Sequence, residues 1–151
     1  MDFLLQQADR DRLRAAGDAL PGPGPFRLYL GVAGVGSARR LRGYSWTDSL
    51  DVACWFADRY DLESPAVRTA EVPRDEVLAY HAGRNEREFI WRPQRTTRLE
   101  IDGDEIGERA GRHAADRRAR DKAKLDELLA RKHTKSREAA GSMGDGRAGS
   151  P

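Results

Sequence analysis

Glu86 and Glu88 stand two residues apart in the run Glu86-Arg87-Glu88-Phe89-Ile90-Trp91. If that run is a regular strand, positions i and i+2 share a face about 6.5–7 Å apart. Two carboxylates held that close repel one another, which is the arrangement an acid, a base or a stabiliser of developing positive charge requires. The plainer alternative is a solvated strand edge, with Arg87 adding charge on the other side. Ser45 and Thr47, flanking Trp46, place two hydroxyls on one face by the same rule and can orient a carboxylate or a ligand hydroxyl. The sequence places no histidine beside them, so nothing points to a Ser-His-Asp arrangement. The spacing of His81, His113 and His133 matches no zinc pattern, and no metal site is expected. His81 falls at a strand end beside the glutamates. Cys54, the sole cysteine, lies in the apolar run around Trp55 and Phe56 and reads as a buried, inert thiol. Gly31, Gly34 and Gly36 follow a strand, but their spacing matches neither dinucleotide nor P-loop patterns, so turn chemistry is expected there.

The elements that must position these residues follow from periodicity. Leu5, Ala8, Leu13, Ala16 and Leu20 predict an N-terminal helix over 2–18, ended by the proline- and glycine-rich segment 21–25. Phe26 to Leu30 alternates as a strand, with Phe26, Leu28 and Leu30 on one face and Arg27 and Tyr29 on the other. Residues 42–47 predict a second strand. Asp48 or Ser49 then caps a helix over about 50–60 whose buried face includes Leu50, Ala53, Cys54, Ala57 and Tyr60. Strands are predicted over 66–72, 77–80, 86–91 and 96–101. By the same spacing Trp46, Trp55, Phe56 and Phe89 join the core, while Tyr44, Tyr80 and Trp91 are expected to be partly exposed.

Among 151 residues the formal charge is +2, but its distribution is uneven. From Gly107 onward 12 Lys or Arg face 7 Asp or Glu, an excess of +5. Two regions are therefore expected: a folded domain over 1–106, and a charged, partly helical to disordered basic tail over 107–151. A basic tail reaches polyanions by Coulomb attraction, so nucleic acid is one candidate partner. No run is apolar and long enough to span a bilayer, and the first residues, Met1-Asp2-Phe3-Leu4-Leu5, lack the basic start of a secretory leader. A cytoplasmic setting without a membrane partner is the expectation.

The order of these features resembles the arginine–serine–glutamate class of ADP-ribosyltransferases, and in flavour its small bacterial and phage-encoded members. The resemblance runs from about Phe26 to Pro93. It is carried by the first strand, Ser45-Trp46-Thr47, the helix Val52–Tyr60, the run Val67–Tyr80 and the sequence Arg84-Asn85-Glu86-Arg87-Glu88-Phe89. It implies an α+β fold with a split β-sheet around an NAD cleft, here with an N-terminal helix added. It further implies Glu88 as the catalytic glutamate, Glu86 as the residue that engages an acceptor, Ser45 as support for Glu88 and the NAD-binding face, and Thr47 as the companion of Ser45.

One signature departs from the family. Its first strand typically reads Tyr-Arg-Gly, and that arginine holds NAD; here it reads Tyr29-Leu30-Gly31. Leucine forms no charge-assisted bond to a pyrophosphate, so Arg27 or Arg42 would have to supply it. The expectation is an NAD-consuming enzyme that transfers ADP-ribose to a protein side chain or another nucleophile, or to water. The alternatives are a catalytically silent domain of the same fold that binds a protein, and a nucleic-acid-associated protein that uses the basic tail.

Overall fold

Alternation along the first strand decides the layering of the domain. A computed structural model describes residues 9–36, 43–83 and 86–141. Strand β1 (Phe26–Val32) turns Leu28 into one core, with Phe26 and Leu30 packed beside it, while Tyr29 packs against a second core on the other face. The predicted division of these residues between faces holds. Strand β2 (Ser45–Thr47), helix α2 (Leu50–Asp58), strands β3 (Ala66–Val72), β4 (Val77–His81), β5 (Glu88–Trp91) and β6 (Thr97–Arg98), and helix α3 (Gly103–Gly141) follow. Helix α1 (Arg10–Ala16) precedes them, its Asp9 side chain accepting from the backbone of Asp11 and Arg12.

The six strands form one antiparallel sheet in the order β4-β5-β2-β1-β3-β6. The fold is thus α+β, with a helix ahead of a multi-stranded antiparallel sheet. One face carries the core of Leu28, Trp46, Val72, Val77, Tyr80, Phe89 and Trp91. The other packs Val67 and Tyr29 against Ala53, Cys54 and Ala57 of α2 and Ile106 of α3. Helix α2 approaches so closely that a Cβ at Gly31 would lie 1.9 Å from the carbonyl oxygen of Ala53. The glycine at that position lets the helix seat on the sheet.

Several expectations need correction. Tyr60 is 66% exposed, because α2 ends at Asp58, two residues short of it. Its ring lies instead beside the Arg59 guanidinium, 4.4 Å from it. Tyr80 and Trp91 are buried; Trp91 packs edge-on against Trp46, and its indole N–H donates to Glu76 Oε2 at 3.1 Å. That bond lets a polar ring atom enter the core without loss. The strand expected over 86–91 begins at Glu88, and that over 96–101 shrinks to two residues. Helix α3 begins at Gly103, inside the region expected to close the folded domain. By internal packing the chain divides into units 1–114 and 115–151. In the first, Arg109 binds both Asp51 of α2 and Glu105, at 2.9 and 2.8 Å. In the second, Leu125, Leu128 and Leu129 are exposed, and Lys122 pairs with Asp126 one turn on. Among the described residues no helix is long and apolar enough to cross a membrane.

Cys54 is fully buried in the α2 core, and burial pushes its thiol up to about 11. Because the thiolate is the reactive form, the folded protein should resist iodoacetamide at pH 8 and become alkylated only on unfolding. Mass spectrometry before and after adding denaturant checks this; rapid labelling of the native protein would contradict it.

Candidate functional site

Strands β2 and β5 bring the candidate residues together through their register. Ser45 lies opposite Ile90, Trp46 opposite Phe89 and Thr47 opposite Glu88. Trp46 and Phe89 turn into the core, so Ser45, Thr47 and Glu88 share the other face. There the Ser45 hydroxyl donates to Glu88 Oε1 at 2.5 Å, a diagonal contact between adjacent strands. Such a bond to an ionised acceptor is charge-assisted and fixes the carboxylate's rotamer. Ser45 is exposed and Glu88 half-buried, so this pair lies beyond the cover that α2 gives Tyr29 and Val67. His81 sits opposite Glu88 across β4 and is exposed on the same face.

Thr47 has a different task from the one its spacing implied. It is buried, its hydroxyl donates to the Glu86 carbonyl oxygen at 2.8 Å, and its Oγ1 accepts from the Ser49 backbone N–H at 3.1 Å. One side chain therefore ties the approach to β5 to the start of α2. Ser49, not Asp48, is the cap: its side chain accepts from the Val52 N–H at 3.4 Å.

Glu86 is not the strand neighbour that regular alternation predicts. It precedes β5, and Arg87 between the two glutamates has φ +47°. A left-handed residue reverses the local path of the chain, so the i, i+2 rule does not apply across it. The Arg87 guanidinium reaches Asp48 Oδ2 at 2.5 Å. The Asp48 side chain is only 16% exposed, and its Oδ1 is buried with no hydrogen-bond partner. Burial pushes this carboxyl above its ordinary 3.8, against the opposing pull of Arg87 and of Asp48's own backbone N–H. Asp48 and Arg87 are site residues that periodicity missed. Asp48 read as a cap and Arg87 as a charge on the far face, and no local pattern announces a left-handed arginine.

Arg27 lies on the helix-bearing face of β1, opposite Glu71, to which it pairs at 3.7 Å with its side chain 67% exposed. From Glu88 it is two strands across and two residues along, roughly 12 Å between backbones. Leu30 packs on the opposite core. Arg42 lies outside the described residues. A cleft of about 530 Å³ runs beside β4, lined in part by Arg14, Asp18, Leu20, Arg74 and Tyr80; neither Ser45 nor Glu88 lines it. Among the described residues no group of three or more His, Cys, Asp or Glu is placed to hold a metal ion.

The arrangement presents an anchored carboxylate on a partly open surface, beside a hydroxyl and an imidazole. It can stabilise positive charge or accept a proton. No protein-family model, curated protein or solved structure matches this chain.

Proposed function

We propose that the chain is an NAD-dependent ADP-ribosyltransferase of the arginine–serine–glutamate type, with Glu88 as its catalytic carboxylate. The observation that carries this reading is the 2.5 Å bond from Ser45 to Glu88, made on the open part of the helix-bearing face. The sheet's layout adds support. Strands β2 and β1 are joined by the shortest ladder of the continuous sheet, Tyr29 opposite Thr47, and a split of the family's kind would fall there.

Cleavage of the nicotinamide–ribose bond sends the bonding pair to nicotinamide and leaves positive charge shared by C1′ and the ring oxygen. A Glu88 carboxylate accepting from the ribose 2′-hydroxyl stabilises that charge as it develops. Ser45 keeps the carboxylate aimed. The nucleophile, whether a guanidine of a protein acceptor or water, then bonds to C1′ and gives up its proton. Glu86 stands at the turn before β5, where an acceptor would arrive. The test is incubation of the purified protein with NAD, with and without free arginine as acceptor, following nicotinamide by chromatography. Steady release is expected, and its absence at high enzyme concentration would sink the reading.

Leu30 favours a second reading. The position that resemblance gives to an NAD-holding arginine is packed against the core, and Arg27 is paired with Glu71. A domain lacking that donor would keep the fold and serve as a protein-binding module. Calorimetry separates the two, since a silent module should show no heat of NAD binding.

A further inference from the structure

Arg87 holds a backbone conformation that side chains other than asparagine and aspartate adopt rarely, and it does so between the two glutamates. Its guanidinium is drawn to Asp48, which lies between Thr47 and Ser49. Thr47 grips the Glu86 carbonyl from the same stretch of chain. The turn into β5 is therefore held at two successive residues, Glu86 by its backbone and Arg87 by its side chain. The next residue is Glu88, already bonded to Ser45.

We propose that the Asp48–Arg87 ion pair is a positioning clamp that sets the Glu88 carboxylate for reaction and is retained at the expense of fold stability. The proposal rests on the reading of Glu88 as catalytic. The cost to stability shows in the geometry. Asp48 is largely buried, one of its oxygens is buried without a partner, and its cation is an arginine 54% exposed. A carboxylate taken out of water in this way gains little from a cation that is itself half in solvent, and an unsatisfied buried oxygen adds to the deficit. The raised carboxyl of Asp48 agrees, because it means that the folded protein disfavours the charged form. A pair that returns so little for the burial of Asp48, yet holds a left-handed turn beside the reactive carboxylate, is accounted for by positioning.

The two roles predict opposite signs. If Asp48 served structure, Asp48→Asn would lower the melting temperature. As a clamp, it should leave Tm within about 2 °C of the wild type, or raise it, while kcat for nicotinamide release falls about tenfold or more and KM for NAD moves less than about threefold. Arg87→Gly provides an independent check. Glycine accepts the left-handed turn without strain, but Asp48 then loses its cation, so Tm should fall more than in Asp48→Asn while circular dichroism still reports the fold, and kcat should fall as it does in Asp48→Asn. The double variant should be no slower than either single variant, because both remove the same pair. Unchanged kcat or a markedly lower Tm in Asp48→Asn, or losses that multiply in the double variant, would each overturn the proposal.

Should the wild type release no nicotinamide, the reading of Glu88 as catalytic falls by itself. The clamp is then judged from the ¹³C carboxyl resonance of Glu88 and from amide protection at Glu88 and Phe89. Both variants should move these if the ion pair holds the turn; resonances and protection left in place would discard the clamp as well.

Discussion

Glu88→Gln should lower nicotinamide release by roughly 10²-fold or more, a loss of about 3 kcal/mol of transition-state stabilisation. The substitution is nearly isosteric. A glutamine carbonyl oxygen can still accept the bond that Ser45 makes to Glu88 Oε1, so the side chain keeps its anchor and loses its charge. Ground-state binding of NAD depends on shape and on hydrogen bonds, and should change only modestly. The charge matters when C1′ becomes cationic, so the loss belongs in kcat. Glu86→Gln should differ. Thr47 holds Glu86 by its backbone oxygen, which the substitution leaves in place, so the turn survives. With arginine as acceptor, transfer should fall while slow NAD hydrolysis continues. Both variants are compared with the wild type by nicotinamide release, with circular dichroism to confirm the fold. Turnover that persists unchanged in Glu88→Gln would remove this carboxylate from the mechanism.

The contrast between Glu88 and Glu86 marks how far the sequence can be read. Strand β1 was legible because Phe26, Leu28 and Leu30 alternate with Arg27 and Tyr29, and a sheet buried on both sides sorts such residues by face. Helix α2 was legible from its apolar spacing and the polar cap at Ser49. The meeting of Ser45 with Glu88 was implied by resemblance, and the register between β2 and β5 gives it a geometry. The Asp48–Arg87 pair was not legible. Its partners are 39 positions apart in sequence, and the conformation of Arg87 is imposed by tertiary contacts that outweigh local preference. Trp91 was misjudged for a related reason. Burial of its ring depends on a partner for its N–H, Glu76 Oε2, and alternation alone cannot supply one. Helical character beyond Gly107 was legible from composition, but α3 starts earlier and its first turn enters the domain core through Ile106, a lone apolar residue that no periodic signal distinguished.

Gly31→Ala should be the most damaging single-methyl change in the domain. A Cβ there would sit 1.9 Å from the Ala53 carbonyl oxygen and 2.7 Å from the Ala57 amide nitrogen. Those are the facing acceptor and donor atoms of residues one helical turn apart in α2, so the methyl would drive into the helix backbone and not into a side chain able to rotate away. Relief requires α2 to lift by about 1.5 Å, from 1.9 Å to an ordinary contact of 3.4 Å. Lifting opens the core of Ala53, Cys54, Ala57, Val67 and Ile106, whose small side chains cannot refill the space. The expected destabilisation is roughly 3 kcal/mol or more, or about 10 °C in Tm. The same displacement would pull on Ser49 and Thr47, which join α2 to the turn before β5, so activity should fall along with stability. Gly111→Ala supplies the comparison. Gly111 lies inside α3, with nothing within 4 Å of an added Cβ, so alanine should stabilise the helix by about 0.5–1 kcal/mol through propensity alone. Thermal melts of both variants give the test. A Gly31→Ala protein that melts with the wild type would mean that α2 does not rest on β1 as closely as described, and the link from helix seat to Glu88 would go with it.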